Sequence, residues 1–199
     1  MQKMKSITAL VVWLAAGNLL AQAGQQQVGS TKDPAHLDAQ QEKRALQSLL
    51  KLAEKLIVSA VDAMPADKFG FAPTDGEFTG VRTFGQQVKH LAAANHILAA
   101  AALGEEPPAN AGDEAGPETV RTKDEILAYL SGSFAHLSKA VDAIGQTNTS
   151  ANPSPSPLKK GEVTRSALVV ESLFHAADHY GQIVVYLRMN GVVPPASRP

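Results

Sequence analysis

The chain has no cysteine. That absence excludes thiolate metal ligands, a disulfide frame, a cysteine nucleophile and a lipid-anchored N-terminal cysteine. It leaves export open, because a domain of this size can be held together by burial alone. Aromatic residues are only 5% of the 199, while alanine is abundant, a balance that suits close-packed helices. There is no excess of basic charge: 18 Lys and Arg face 19 Asp and Glu. A nucleic-acid partner, which would call for a basic stripe, is therefore not expected. Alternating strand patterns and internal repeats are also missing.

Long apolar runs are absent except at the start. Lys3 and Lys5 precede an apolar stretch from Ile7 to Leu20, and Ala21-Gln22-Ala23 has the small-x-small form of a cleavage site. The stretch is short for a membrane span and carries no stop-transfer flank. Residues 1–23 therefore read as a signal peptide, cut after Ala23, with the mature protein exported to the periplasm or medium and holding no stable membrane span. The competing reading is an uncleaved N-terminal anchor. Without Lys3 and Lys5, 16 basic residues face 19 acidic ones, a net charge near −3.

Residues 24–36 are polar and glutamine-rich, the composition of a flexible mature N-terminus. From Pro34 to about Met64, the residues Leu46, Leu50, Ala53, Ile57, Ala60 and Met64 step by threes and fours, the seam of a bundle helix. After a Gly/Pro-rich loop, Thr83-Phe-Gly-Gln86 has capping-box form and opens a second helix, which Gly104 and Pro107-Pro108 end. This helix is apolar nearly all round, so it is expected to be an inner one. Ala94, Ile97 and Ala101 lie on the side of His90, where small neighbours are expected to leave room for an imidazole and solvent. Thr122-Lys-Asp-Glu125 caps a third helix with a seam of Leu127, Leu130, Phe134, Leu137, Val141 and Ile144. A proline-rich stretch separates it from a fourth helix, from about Thr164 to Gly191. The pattern predicts an all-α chain: a four-helix bundle over residues 37–195 and a C-terminal tail, 196–199.

The most informative residues are on the fourth helix. His175 and His179 are one turn apart, about 40° from each other around the cylinder, so both imidazoles can reach one divalent cation. Two histidines hydrogen-bonded to carbonyls, or exposed at a bundle end, would fit the same spacing. His90 on the second helix is the candidate third ligand; a lone histidine on an apolar face is otherwise a satisfied core residue. His36, His96 and His136 are expected to meet solvent or local hydrogen-bond partners. A zincin-type protease is excluded, because Ala176 occupies the place of the glutamate base that follows the first histidine of that motif. Glu171, Gln182 and Tyr186 share the stripe of the pair and are candidates to support the ligands or orient a substrate, Glu171 also as a fourth ligand.

Thr83-Phe-Gly-Gln-Gln-Val-Lys-His90, His175-x-x-x-His179-Tyr-Gly-Gln and Tyr-Leu-Arg-Met-Asn-Gly-Val-Val-Pro-Pro together resemble the DinB-like (DinB/YfiT) metalloprotein superfamily. Phe69-Gly-Phe-Ala-Pro73 is similar to the loop that precedes its second helix. The resemblance spans about Leu37 to Pro195. It implies an up-down-down-up bundle, one divalent transition metal (Zn, Ni or Fe first among the candidates) on His90, His175 and His179, and pairing into a homodimer. Members of known activity are thiol-dependent transferases and isomerases, a pattern from which the secretory signal departs. Two functions remain open. One is a metal-dependent transferase or hydrolase acting at open coordination positions. The other is a non-catalytic, metal-binding or structural bundle.

Overall fold

The computed structural model describes residues 34–73, 80–109, 111, 114–146 and 163–199. The proposed signal segment and most of the polar N-terminus lie outside this set. A compact unit spans His36–Pro199. Its secondary structure among the described residues is entirely helical: α1 (Pro34–Ala63), α2 (Phe84–Leu103), α3 (Lys123–Asp142) and α4 (Arg165–Met189), with short 3-10 turns at Ala66–Lys68 and Pro195–Ser197. None of these helices is long and apolar enough to cross a membrane.

The helix starts follow from local chemistry. Thr83 Oγ1 accepts from the Gln86 amide, and Gln86 Oε1 accepts in return from the Thr83 amide at 2.9 Å. Thr122 and Glu125 repeat this reciprocal cap. At α4, the Thr164 hydroxyl accepts from the Ala167 amide at 3.1 Å. Each cap pairs amides that the helix itself leaves unpaired and contributes about 1 kcal/mol. At its other end α2 closes on Gly104, whose φ of 75° is the left-handed conformation that glycine adopts without a Cβ penalty.

As its all-round apolarity predicts, α2 is the inner helix. Only Gln86, Lys89, His96 and Leu103 escape full burial. Ala94, Ile97 and Ala101 are all buried, and the small residues allow close helix approach. In α3 the inward position of the first turn belongs to Ile126, and Leu127 is only half-buried. Gly85 explains the one-residue difference: a Cβ there would come within 3.3 Å of Ile126 Cδ1, so the missing side chain on α2 makes the slot Ile126 fills.

Polar contacts fix the helix directions. Asn95 Nδ2 donates to Ser133 Oγ and Gly85 faces Ile126, so α2 and α3 run parallel. Lys43 reaches the Asp142 carbonyl while Lys123 reaches that of Asp62, so α1 runs against α3. Arg165, only 8% exposed, starts α4 by donating to the carbonyls of Ala102, Ala143 and Gln146 at 2.9, 3.0 and 2.7 Å. Its cation thereby meets the carbonyl ends of α2 and α3, where the helix dipoles favour positive charge. Midway along the core, Asn95, Ser133 and Ser172 form a closed polar layer: Ser172 Oγ donates to Asn95 Oδ1 at 2.9 Å, and Ser133 Oγ donates to the Leu130 carbonyl. All three are fully buried, and each hydroxyl proton has an acceptor.

Candidate metal centre

The antiparallel packing of α2 on α4 brings three imidazoles to one point. A nitrogen from each of His90, His175 and His179 lies within 4.8 Å of the others. The ring of His90 is 5.2 Å from that of His175 and 4.9 Å from that of His179, and the α4 pair is 4.2 Å apart, all edge to face. His90 and His179 are 6% exposed, and His175 is half-buried. The candidate third ligand is thus a neighbour of the pair, brought there by one continuous helix–helix contact.

The protonation pattern can be read from the partners. His90 Nδ1 is 2.8 Å from the Glu114 carbonyl oxygen. A carbonyl only accepts, so Nδ1 carries the proton and the lone pair is left on Nε2. Glu114 holds this carbonyl from a left-handed backbone, φ 70°, the single non-glycine positive φ among the described residues. Such a conformation costs on the order of 1 kcal/mol and persists where the surroundings enforce it. They do so here: Gly116, φ 74°, packs so close to α2 that a Cβ would meet Lys89 at 3.2 Å, and Lys89 Nζ donates to the Pro117 carbonyl.

On α4, His179 Nε2 is 2.8 Å from His175 Nε2, and His179 Nδ1 is 2.6 Å from Gln87 Nε2. Gln87, buried on α2, also donates to Gln182 Oε1, and Gln182 Nε2 donates to Asp178 Oδ2 at 2.8 Å. A primary amide carries a donor and an acceptor, so Gln87 can serve either tautomer of His179. His175 Nδ1 is buried and has no hydrogen-bond partner. Burial, followed by the nearby His175 and His90, pushes the pKa of His179 down to about 4. Burial and then His90 also lower that of His175, against the opposing pull of Glu114 and Asp178. Near neutral pH these two imidazoles are therefore uncharged, the form in which they donate to a metal.

The supporting candidates on α4 divide. Gln182 belongs to the Gln87 chain. Tyr186 donates its hydroxyl to the Arg82 carbonyl at 2.7 Å and packs its ring against Phe71 and Phe84. Burial raises its pKa. Glu171 is half-buried one turn before His175 and is not among the three residues whose ligating atoms converge. His96 and His136 are elsewhere, with their Nδ1 atoms 3.1 Å apart; the side chain of His36 lies outside the described residues. Two groups escape a sequence reading. Gln87 could have been found as a polar residue one turn before His90 on an otherwise apolar helix. The Glu114 carbonyl carries no side-chain signal at all.

The family model of the DinB superfamily matches residues 49–183, about two thirds of the chain and inclusive of all three histidines. The chain belongs to that superfamily. No curated protein and no solved structure matches it.

Proposed function

We propose that this DinB-superfamily chain is an exported protein that holds one divalent transition metal on His90, His175 and His179. The observation that carries the reading is the convergence of three imidazole nitrogens from two helices, with the His90 tautomer set by the Glu114 carbonyl. The donor set fits such an ion. Bonds of about 2.0–2.1 Å put two nitrogens on one cation about 2.9 Å apart at a right angle and about 3.3 Å apart at the tetrahedral angle. The 2.8 Å between His175 and His179 is within a tenth of an ångström or so of that range. All-nitrogen ligation suits Zn, Ni or Fe. The pairing of the helices supports the up-down-down-up course that the family resemblance implies.

Three protein ligands leave coordination positions free, and a bound cation would supply Lewis-acid polarisation to a small molecule there. The chain's own groups would hold the site ready: Glu114 fixes His90, and Gln87 fixes His179. Arg82 lowers the pKa of both α4 histidines, so its positive charge is felt at the centre. It lines a neighbouring cleft with Gln86, Lys89 and Gly116. This arrangement supports a metal-dependent transferase or hydrolase. One observation favours a non-catalytic centre instead: Gln182 and Tyr186 are both engaged by protein partners.

Elemental analysis of protein recovered from its native compartment tests the binding. About one divalent ion per chain is expected, absent from the His175→Ala variant; equal metal content in the two proteins would refute the site. Turnover of thiol-transfer or hydrolysis substrates by the metal-loaded protein, lost in His175→Ala, would support the enzyme. Equal rates would leave the structural reading. N-terminal sequencing of the same material should begin at Gly24, and an intact Met1 on a membrane-bound form would refute cleavage. A homodimer is supported by apolar surface shared by α1 and α4. Leu49, Leu52 and Val170 are about half exposed, and Phe174 is 77% exposed. Light scattering of the Phe174→Glu variant should give the mass of one chain; a wild type that already has that mass would refute the dimer.

A further inference from the structure

We propose that His96 and His136 form a second site for a late transition-metal dication, at the seam of α2 and α3 and independent of the three-histidine centre. His96 comes from α2 and His136 from α3, and their Nδ1 atoms are 3.1 Å apart. That separation lies between the two spans a shared cation demands, about 2.9 Å for cis positions of a square plane and about 3.3 Å for a tetrahedron. The two nitrogens are thus already within the span of one cation, and the rings need only turn until both lone pairs face it.

A hydrogen bond between the two rings accounts for the contact only if one of them keeps its proton on Nδ1. With a cation between them, both protons move to Nε2, and for His136 a carboxylate stands beyond that proton. His136 Nε2 is 3.9 Å from Glu105 Oε2 in the turn that follows α2. The exposed Glu105 side chain has the freedom to close that gap, and a carboxylate accepting from an imidazole ligand fixes the ring's tautomer and increases its basicity. The Tyr129 ring lies 5.2 Å from that of His96, tilted by 38°, and holds its plane. The His136 side chain keeps 14% of its surface exposed, an opening through which an ion and its remaining water ligands can enter. Lys139, whose charge is felt at His136, opposes a cation there, and Glu105 offsets it.

The two sites do not compete for one ion. His96 follows His90 by six residues, about 9 Å further along the helix and about 120° around it. Two protein ligands give a weaker site than three, and the ions favoured are those with the strongest affinity for imidazole, Cu(II) foremost.

The test uses the mature chain and Cu(II) alone, with stoichiometry from equilibrium dialysis and nitrogen coupling from electron paramagnetic resonance. Wild type should take up a second equivalent with two imidazole nitrogens in its plane. His136→Gln should lose that equivalent, and His175→Ala should keep it. Glu105→Gln changes a side chain that is 62% exposed and should weaken the second equivalent by about 10- to 100-fold. The proposal is overturned if wild type binds no second equivalent, or if one binds and survives His136→Gln. Retention of the first equivalent in His175→Ala would count against the three-histidine reading and not against this one.

Discussion

Proton competition at the three-histidine centre should be weaker than the spacing of the ligands alone suggests. An imidazole of ordinary pKa, about 6.5, costs a ligand site about 25-fold in apparent affinity between pH 7 and pH 5, because protons then occupy nearly all of it. Three such ligands would make the logarithm of the affinity fall by nearly three per pH unit between pH 6 and 5. His179 departs from this. With its pKa pushed down to about 4 by burial and by its histidine neighbours, it loses only about 1.1-fold over the same span. His175 is lowered by the same causes and loses less than an ordinary imidazole. The slope between pH 6 and 5 should therefore stay below two and steepen only as pH approaches 4. An expectation drawn from three free imidazoles would make the loss too steep. Zinc binding measured by competition against a chelator of known proton affinity, at pH 7, 6, 5 and 4.5, gives the slope directly. A slope near three between pH 6 and 5 would mean that all three rings titrate like exposed histidines, and would refute the buried geometry described for them.

Three other outcomes follow from named contacts. Gln87→Leu removes the partner of His179 Nδ1 and should weaken metal binding about 10- to 100-fold while circular dichroism shows the helices intact. Replacing Arg165 by methionine should destabilise the fold by about 3 kcal/mol in urea titration, because it leaves three carbonyls at helix ends without a charged donor. The metal-free protein should lose stability on acidification. His96, lowered to about 4 by burial and by His136, binds a proton near 6.5 when unfolded. Its contribution is complete above pH 6.5 and is lost as pH falls through 4, which melting temperatures of wild type and His96→Gln between pH 7 and 4 would show as converging curves.

Much of the frame is legible in the sequence because its signals are local. Thr83 and Thr122 each carry their capping partner three residues on, and Gly104 stops α2 through its own backbone. The 3.6-residue period shows which helix is inner. What periodicity cannot supply is the shape of the neighbouring helix. Leu127 and Ile126 fit the period of α3 about equally well, and the choice is made by a missing side chain on another helix, Gly85. The site divides along the same line. The His175–His179 spacing points to a ligand pair, and His90 joins them only once α4 is laid against α2. The Glu114 carbonyl could not have been foreseen, since any residue has one and only the fold aims it.

The buried Asn95–Ser133–Ser172 layer has a consequence for how the centre is assembled. Histidines spaced one turn apart form a ladder with identical rungs. If α4 slid along α2 by about 5.4 Å, one of the two would still face His90, and apolar side chains a turn away would repack at modest cost. The metal ligands therefore cannot select their own register. Hydrogen bonds can, because a one-turn slip would strand the Asn95 side-chain oxygen and the Ser172 hydroxyl among hydrocarbon, at about 1–3 kcal/mol for each unpaired group. Arg165 adds a second tooth at the far end of the same helix. The polar layer works as a detent that sets the height of α4, so the three imidazoles meet as a triad and not as a displaced pair.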